Sequence, residues 1–458
     1  METISDNGGS IITSGMTISN IMETTATEKF PKVVIIGGGF GGIEVAKGLK
    51  DKEVDVLLLD RNNHHTFQPL LYQVATGTLD APSIAFPLRK MFRKQKNFTF
   101  RMANVTAIDS VQKVLDTDIG PIAYDYLVIA TGATTNFFGN TGIEQHAMPM
   151  KNVREAVNIR SFLLQNIEES LLQNTPEERA AFLNVVIVGG GPTGVELSGA
   201  VAEIRKNILT KDYPELKRED MSVYLVEGLP RVLNALSPQA SEKAELYLKE
   251  LGVRVLLNEQ VTAYNGEEIH FASGKRIKTR TVLWSAGVKG EVPAGIDAQS
   301  IVRGNRIQTD EECRVLGMQD VFAIGDVSAI ITDDTPRGHP GVAPVAQQQG
   351  KLLAKNIVRI LQNQPAEKFR YFDKGSMATI GRNKAVVDIG KIRFQGFFAW
   401  WVWMFVHLMS LVGFRNRVVT FINWVISYVT FNAGIRLIIH KYRPKKPQEQ
   451  PASETEIA

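Results

Sequence analysis

KVVIIGGGFGG, Lys32–Gly42, is the stretch on which the fold turns. Its β-branched run Val33–Ile36 reads as a buried parallel strand. Gly37, Gly39 and Gly42 follow in a G-x-G-x-x-G frame and open an apolar helical stretch. In such a loop the first glycine makes a tight turn and the second admits a pyrophosphate to the backbone. The third lets helix and strand pack closely, and the anion rests on the helix N-terminus. NVVIVGGGPTGVE, Asn184–Glu196, repeats the frame with Gly189, Gly191 and Gly194. One copy alone reads equally well as a glycine-rich loop. Two copies are a stronger signal, because each is followed by a strand ending in an acid: VDVLLLD ends at Asp60 and MSVYLVE at Glu227. A carboxylate there binds the adenosine ribose hydroxyls and repels a 2′-phosphate. The long spacing before Glu227 marks the segment around Lys206–Asp220 as an inserted loop. Two dinucleotides on one chain most simply exchange electrons.

Working outward, residues 31–150 form the first unit and end in DYLVIATGA, where Thr131-Gly132 turns the backbone toward a cofactor. Residues 151–290 repeat the plan and end in TVLWSAG, so that Gly287 stands to the second unit as Gly132 does to the first. VFAIGD then sets Asp326 at a strand end, either to accept from a ribityl hydroxyl or, more plainly, to cap a helix. Residues 291–365 are expected to return to the first domain, making it discontinuous. The fold class is α/β, with two Rossmann-like dinucleotide-binding domains followed by a C-terminal membrane-anchoring segment over 366–446 and a polar tail over 447–458. The Ser/Thr/Gly-rich residues 1–30 read as a disordered leader without signal or transit features, and Met16 and Met22 are alternative starts.

The single cysteine, Cys313, excludes a dithiol mechanism and a cysteine metal cluster, and it counts against sulfide oxidation. The seven histidines show no metal-ligand spacing, so no metal is expected. Between Lys391 and Lys446 there are nine Lys/Arg and no Asp/Glu, against a whole-chain charge of +4, which leaves the remainder net negative. That basic segment is also strongly apolar, which argues against nucleic acid as its partner. GFFAWWVWMFVHLMSLVGF, Gly396–Phe414, and VVTFINWVISYVTFNAGI, Val418–Ile435, are uncharged, with a turn expected at Phe414–Arg417. Spanning helices, a buried hairpin and an interfacial pair all remain open on length alone. Thr420, Asn423, Ser427 and Thr430 form a polar stripe at helical period, with Phe421, Trp424, Val425 and Tyr428 opposite it. The stripe, the tryptophans Trp400, Trp401 and Trp403 and the flanking cations favour helices lying on anionic lipid.

The order GGGFGG, ATG, GGGPTGVE, SAG, FAIGD is similar to that of the two-dinucleotide flavoprotein disulfide reductases, without their disulfide. Within that superfamily the chain resembles the type II NADH dehydrogenases, single-subunit NADH:quinone oxidoreductases that do not pump protons. HHTFQPLLYQVATG (His64–Gly77) looks like the family's segment beside the flavin, and PGVAPVAQQQG (Pro340–Gly350) like its quinone motif A-Q-x-A-x-Q. KGSMATIGRNKAVVDI and WVWMFVHLMSLVGFRNR complete a resemblance that covers residues 31–440. Pro344 departs from the motif at its first glutamine, which leaves Gln348, with Gln347, Gln349 or backbone amides, to meet a quinone carbonyl.

The resemblance implies FAD on Gly37, Gly39, Gly42, Asp60, Thr131, Gly132 and Asp326, and NADH on Gly189, Gly191, Gly194, Glu227 and Gly287. It places Glu196 at the junction of nicotinamide and flavin, where its plainer role is as a helix-dipole partner. Lys384 is placed near the quinone end of the flavin, the alternative being a surface lysine. Implied partners are a membrane quinone, menaquinone or ubiquinone, an anionic lipid surface and a second copy in a homodimer. The implied location is the cytoplasmic face of a bacterial inner membrane, peripheral and monotopic. Two rivals stand beside this reading. A soluble reductase of the same fold would not need the tail, and a membrane-attached redox sensor of the apoptosis-inducing type would hold its reduced state rather than turn over.

Overall fold

The computed structural model describes residues 30–430, 436–438 and 440–442; the expected leader up to residue 29 and the polar tail lie outside them. Strand Lys32–Ile36 sits at the centre of a five-stranded, wholly parallel sheet. On one side of it lie Asp55–Asp60 and then Phe98–Met102; on the other lie Tyr126–Ile129 and then Val321–Ala323. Taken in chain order this is the 3-2-1-4-5 arrangement of a doubly wound sheet, in which ligands bind where the order reverses. Strand Val321–Ala323 comes from beyond residue 290 and completes the first sheet.

The second sheet repeats the arrangement around Val185–Val188, with Val223–Val226 and Val253–Leu256 on one side and Thr281–Trp284 on the other. Its fifth position is taken by Met148–Pro149, which precedes the fingerprint in the chain. Each unit has an antiparallel three-stranded meander between its third and fourth strands, over 105–123 in the first and 261–278 in the second. The central strands are buried on both faces, which is why their sequences are unbroken apolar runs. Residues Ala133–Thr135 and Val288–Gly290, each just past a fourth strand, pair antiparallel. That ribbon ties together the carboxyl ends of the two sheets. The expected insertion before Glu227 holds a π-helical turn, Arg205–Leu209, and short helical turns at Thr210–Asp212 and Arg218–Asp220.

A third sheet, Ser376–Thr379, Ala385–Ile389 and Ile392–Gln395, leads into helices Phe397–Ser410 and Phe414–Thr430. At about 1.5 Å per residue these 14 and 17 residues extend roughly 21 and 26 Å, short of a ~30 Å hydrocarbon core. No helix among the described residues is long and apolar enough to cross a membrane. The turn lies at Leu411–Gly413, earlier than expected, because Gly413 adopts φ +89° while Phe414–Arg417 begins the next helix.

The second helix lies the other way round from a helix whose polar stripe meets water. Asn416 and Thr420 are buried against the body and Asn423 and Ser427 are half-buried, while Phe414, Phe421, Ile422, Val425, Ile426 and Val429 are exposed, as is Thr430 at the helix end. Trp424 belongs to the inward side, not to the apolar face where its position in the sequence suggested it. Its Nε1 donates to Gln73 Oε1 at 2.7 Å, and Trp403 packs beside it at 6.0 Å between ring centroids. On the first helix Phe397, Phe398, Trp401, Phe405 and Met409 face outward, so the two helices present one continuous apolar face.

Candidate active site

Both glycine loops are shaped by steric necessity. Gly37 and Gly189 adopt φ +104° and +110°, a region closed to most side chains, and a Cβ on Gly37 would overlap the Ala130 carbonyl. A Cβ on Gly42 would overlap the Gly37 carbonyl oxygen, and one on Gly194 the Gly189 oxygen, so each helix packs directly on its own loop. The middle glycines differ. Nothing lies within 4 Å of a Cβ built on Gly39 or Gly191, so both face open space at a helix N-terminus. That is the shape a pyrophosphate requires.

The acids are set the same way in both units. Asp60 Oδ2 accepts from Gly38 N at 2.6 Å and Oδ1 from Asn62 N at 2.7 Å; Glu227 Oε2 accepts from Gly190 N at 2.5 Å and Oε1 from Leu229 N at 2.8 Å. Each carboxylate is therefore aimed across its loop with lone pairs to spare for ribose hydroxyls. Beside the first loop, buried His65 bonds through Nδ1 to the Gly38 carbonyl at 2.9 Å. A carbonyl only accepts, so the proton sits on Nδ1 and Nε2 is a bare acceptor, buried and without a partner among the described residues. Burial pulls the pKa of His65 down to about 4, so the ring is neutral.

Thr131 Oγ1 donates to the Glu291 carbonyl at 2.6 Å, while Gly132, at φ +77°, faces open space. Gly287, at φ +75°, lies under the Phe138 ring. Asp326 sits inside the helical turn Gly325–Val327 and does not cap it; no described residue hydrogen-bonds its carboxylate. The turn is held by Gln349, whose Oε1 accepts from Gly325 N at 2.7 Å.

Glu196, just past the first turn of the second fingerprint helix Pro192–Ile204, is 7% exposed. Burial pushes its carboxyl up to about 8, against the pull of the Thr379 amide, which donates at 3.4 Å, and of the Trp403 indole. That indole N–H lies close enough to act on the carboxyl but makes no hydrogen bond of good geometry. Glu196 faces a cavity of about 90 Å³ between the body and the anchor helices, lined also by Tyr72, Gln73, Glu203, Arg382, Trp403 and Trp424. A hydrogen-bonded chain runs along it, from Trp424 Nε1 to Gln73 and from Gln73 Nε2 to the Tyr72 hydroxyl at 2.9 Å.

Two expected residues lie away from this cavity. Gln348 is taken up by the backbone of Phe372, donating to its carbonyl at 2.9 Å and accepting from its amide at 3.0 Å. Lys384 pairs with Glu250 and lies over the Tyr247 ring at 5.1 Å. Glu203, Gln73 and Arg382 were not singled out in the sequence. Glu203 had a signal, since it follows Glu196 by seven residues and so falls on the same helical face. Gln73 and Arg382 lie inside the segments HHTFQPLLYQVATG and KGSMATIGRNKAVVDI, but nothing local singled them out there, because their partners are distant in the chain.

Two open glycine cradles, each with an acid across it and joined at the carboxyl ends of two parallel sheets, define an oxidoreductase that binds two dinucleotides. Residues 31–350 match the family described as pyridine nucleotide-disulphide oxidoreductase, and residues 374–430 match the NDH2 C-terminal domain. The chain is 38% identical over 418 residues to the type II NADH:quinone oxidoreductase Ndh of Mycobacterium tuberculosis, over 88% of this chain and 89% of the relative. It is 32% identical over 441 residues to the mitochondrial internal alternative NAD(P)H-ubiquinone oxidoreductase A1 of Arabidopsis thaliana, with 87% and 84% covered. Its fold superimposes on that of NDH2 from Plasmodium falciparum in complex with NADH, with a TM-score of 0.81 over 90% of this chain and 100% of the other, at 22% identity. The chain belongs to the type II NADH:quinone oxidoreductases.

Proposed function

We propose that the protein oxidises NADH and reduces a membrane quinone while lying on one leaflet of a bilayer. The observation that carries this is the placement of buried Glu196, which sits on the fingerprint helix of one nucleotide loop and faces a cavity bounded by the anchor helices. Bound FAD would supply the redox chemistry that links NADH oxidation to quinone reduction. Gly37, Gly39 and Gly42 would hold its pyrophosphate and Asp60 its adenosine ribose, with Thr131, Gly132 and Asp326 lining the rest of its site. Gly189, Gly191, Gly194 and Gly287 receive NADH, and the charge of Glu227 opposes the 2′-phosphate of NADPH. Glu196, whose carboxyl burial pushes up to about 8, holds a proton near neutral pH and lines the cavity. Gln348 and Lys384 reach the quinone only if they exchange their present partners, Phe372 and Glu250.

The continuous apolar face of helices 397–410 and 414–430 supports insertion into one leaflet, with Arg415, Arg417 and the basic residues beyond them on anionic headgroups. That basic segment supports the cytoplasmic leaflet of a bacterial inner membrane. The test is anaerobic stopped-flow on detergent-purified protein, with NADH and then a short-chain quinone. Rapid bleaching by NADH, weak bleaching by NADPH and fast recolouring by quinone are expected. Flavin that stays bleached after quinone is added would remove the reductase reading and favour the sensor.

A further inference from the structure

We propose that Glu203 is the proton-uptake group of this site, taking a proton from the medium and passing it through cavity water to Glu196 for delivery to the quinone. The proposal rests on the quinone-reductase reading above. Hydride transfer from NADH brings one of the two hydrogens of the quinol. The overall balance, NADH + H⁺ + quinone → NAD⁺ + quinol, draws the other from the medium. That proton has to reach a site walled on one side by helices that lie in lipid.

Glu196 and Glu203 are both on helix Pro192–Ile204, seven residues and so about 10.5 Å apart on one face. Between them Ala200 is too small to fill the space, and both carboxyls line the same cavity. Its volume of about 90 Å³ exceeds several times the ~10–15 Å³ that one water requires, so a short file of waters fits. The two ends of the cavity differ in the sense a proton inlet requires. Glu196 is buried, while Glu203 is half-buried on the last turn of the helix and followed by exposed Lys206. Glu203 Oε1 accepts from the Arg382 amide at 2.7 Å, which fixes the carboxyl, and Oε2 has no hydrogen-bond partner among the described residues.

The groups around Glu203 set it to exchange a proton. Burial pushes its carboxyl above the usual range, while the Arg382 amide and charge on the hairpin and Lys206 at the end of its own helix draw it back. Tyr72 faces both carboxyls from helix Leu71–Ala75, and burial and their charges push its hydroxyl far up, so it remains a neutral donor. From the anchor helix Tyr428 lines the same cavity. In each turnover Glu203 releases its proton to a cavity water, that file protonates the Glu196 carboxylate as the quinone takes its proton, and Glu203 is reloaded from solvent.

Glu203→Gln separates this from a structural role, because the amide oxygen still accepts from Arg382 while the proton is lost. In full-length flavin-loaded protein, recolouring by a short-chain quinone should slow about tenfold or more, most steeply above neutral pH, while bleaching by NADH keeps its rate. Glu203→Asp should restore most of the rate. Ala200→Leu keeps both carboxyls but fills the cavity, and it should slow the same step. Wild-type recolouring and pH profile in Glu203→Gln, or an unaffected Ala200→Leu, would overturn the proposal. Should neither variant retain flavin, a proton inventory on wild type in H₂O–D₂O mixtures decides: a bowed plot is expected from a multi-proton relay, and a linear one overturns it. A wild-type protein that quinone fails to recolour would instead sink the reductase reading itself.

Discussion

Replacing Glu196 by Gln tests the central electrostatic feature of the site. Burial raises its carboxyl from 4.5 to about 8. At about 1.4 kcal/mol per pKa unit, that shift corresponds at saturation to ~5 kcal/mol. Because the folded pKa lies above the unfolded one, the native state binds more protons than the unfolded state between about pH 4.5 and 8. The contribution is therefore fully present below pH 4.5, is lost as pH rises through that window, and is gone above about pH 8. Glu196→Gln has no charge to bury, and its amide oxygen still accepts from Thr379. Every other titrating group is shared by the two proteins, so the difference between their stabilities isolates this carboxyl. That difference, variant minus wild type, should grow in favour of the variant by up to ~5 kcal/mol between about pH 5 and 9. The assay is thermal unfolding of both proteins in one detergent across that range, followed by circular dichroism and flavin fluorescence. Parallel curves of midpoint against pH would refute a buried, proton-holding Glu196.

Three further outcomes are expected. Gly42→Ala forces a methyl group onto the Gly37 carbonyl and should yield protein without FAD, whereas Gly194→Ala, which collides with Gly189, should keep FAD and lose rapid bleaching by NADH; flavin content and stopped-flow distinguish them, and equal effects on both would contradict two separate sites. Glu227→Gln keeps acceptors for Gly190 and Leu229 but removes the charge, so the ratio of kcat/KM for NADPH to that for NADH should rise about tenfold, worth ~1.4 kcal/mol; an unchanged ratio would move cofactor selection elsewhere. Phe421→Glu with Ile426→Glu, both on the exposed apolar face, should abolish co-sedimentation with anionic vesicles and leave NADH bleaching intact; retained sedimentation would rule that face out as the membrane contact.

The fold was legible because its defining signals are local. A β-branched strand, three glycines at fixed spacing and an acid at the next strand end are each dictated by backbone sterics, so both loops could be placed residue by residue. The expected return of 291–365 to the first unit was an inference from order alone, and the pairing of Val321–Ala323 with Tyr126–Ile129 lies in that direction. The helical period of the tail was likewise local. Which side of it faces the body was not, because packing of Trp424 on Gln73 depends on residues 351 positions apart.

The same division runs through the site. Sequence alone determined two nucleotide loops, their acids, the absence of a cysteine pair and an apolar basic tail, since each follows from residue type and spacing. Only the tertiary structure decided what Gln348, Lys384 and Glu196 touch. Gln348 meets Phe372 and Lys384 meets Glu250, because side-chain hydrogen bonds are short-ranged and settle on whichever partner folding brings near. Glu196 is instead buried where the helix 397–410 closes over the body and sets Trp403 beside it. Desolvation is a property of the assembled surroundings, and no spacing in the chain records it.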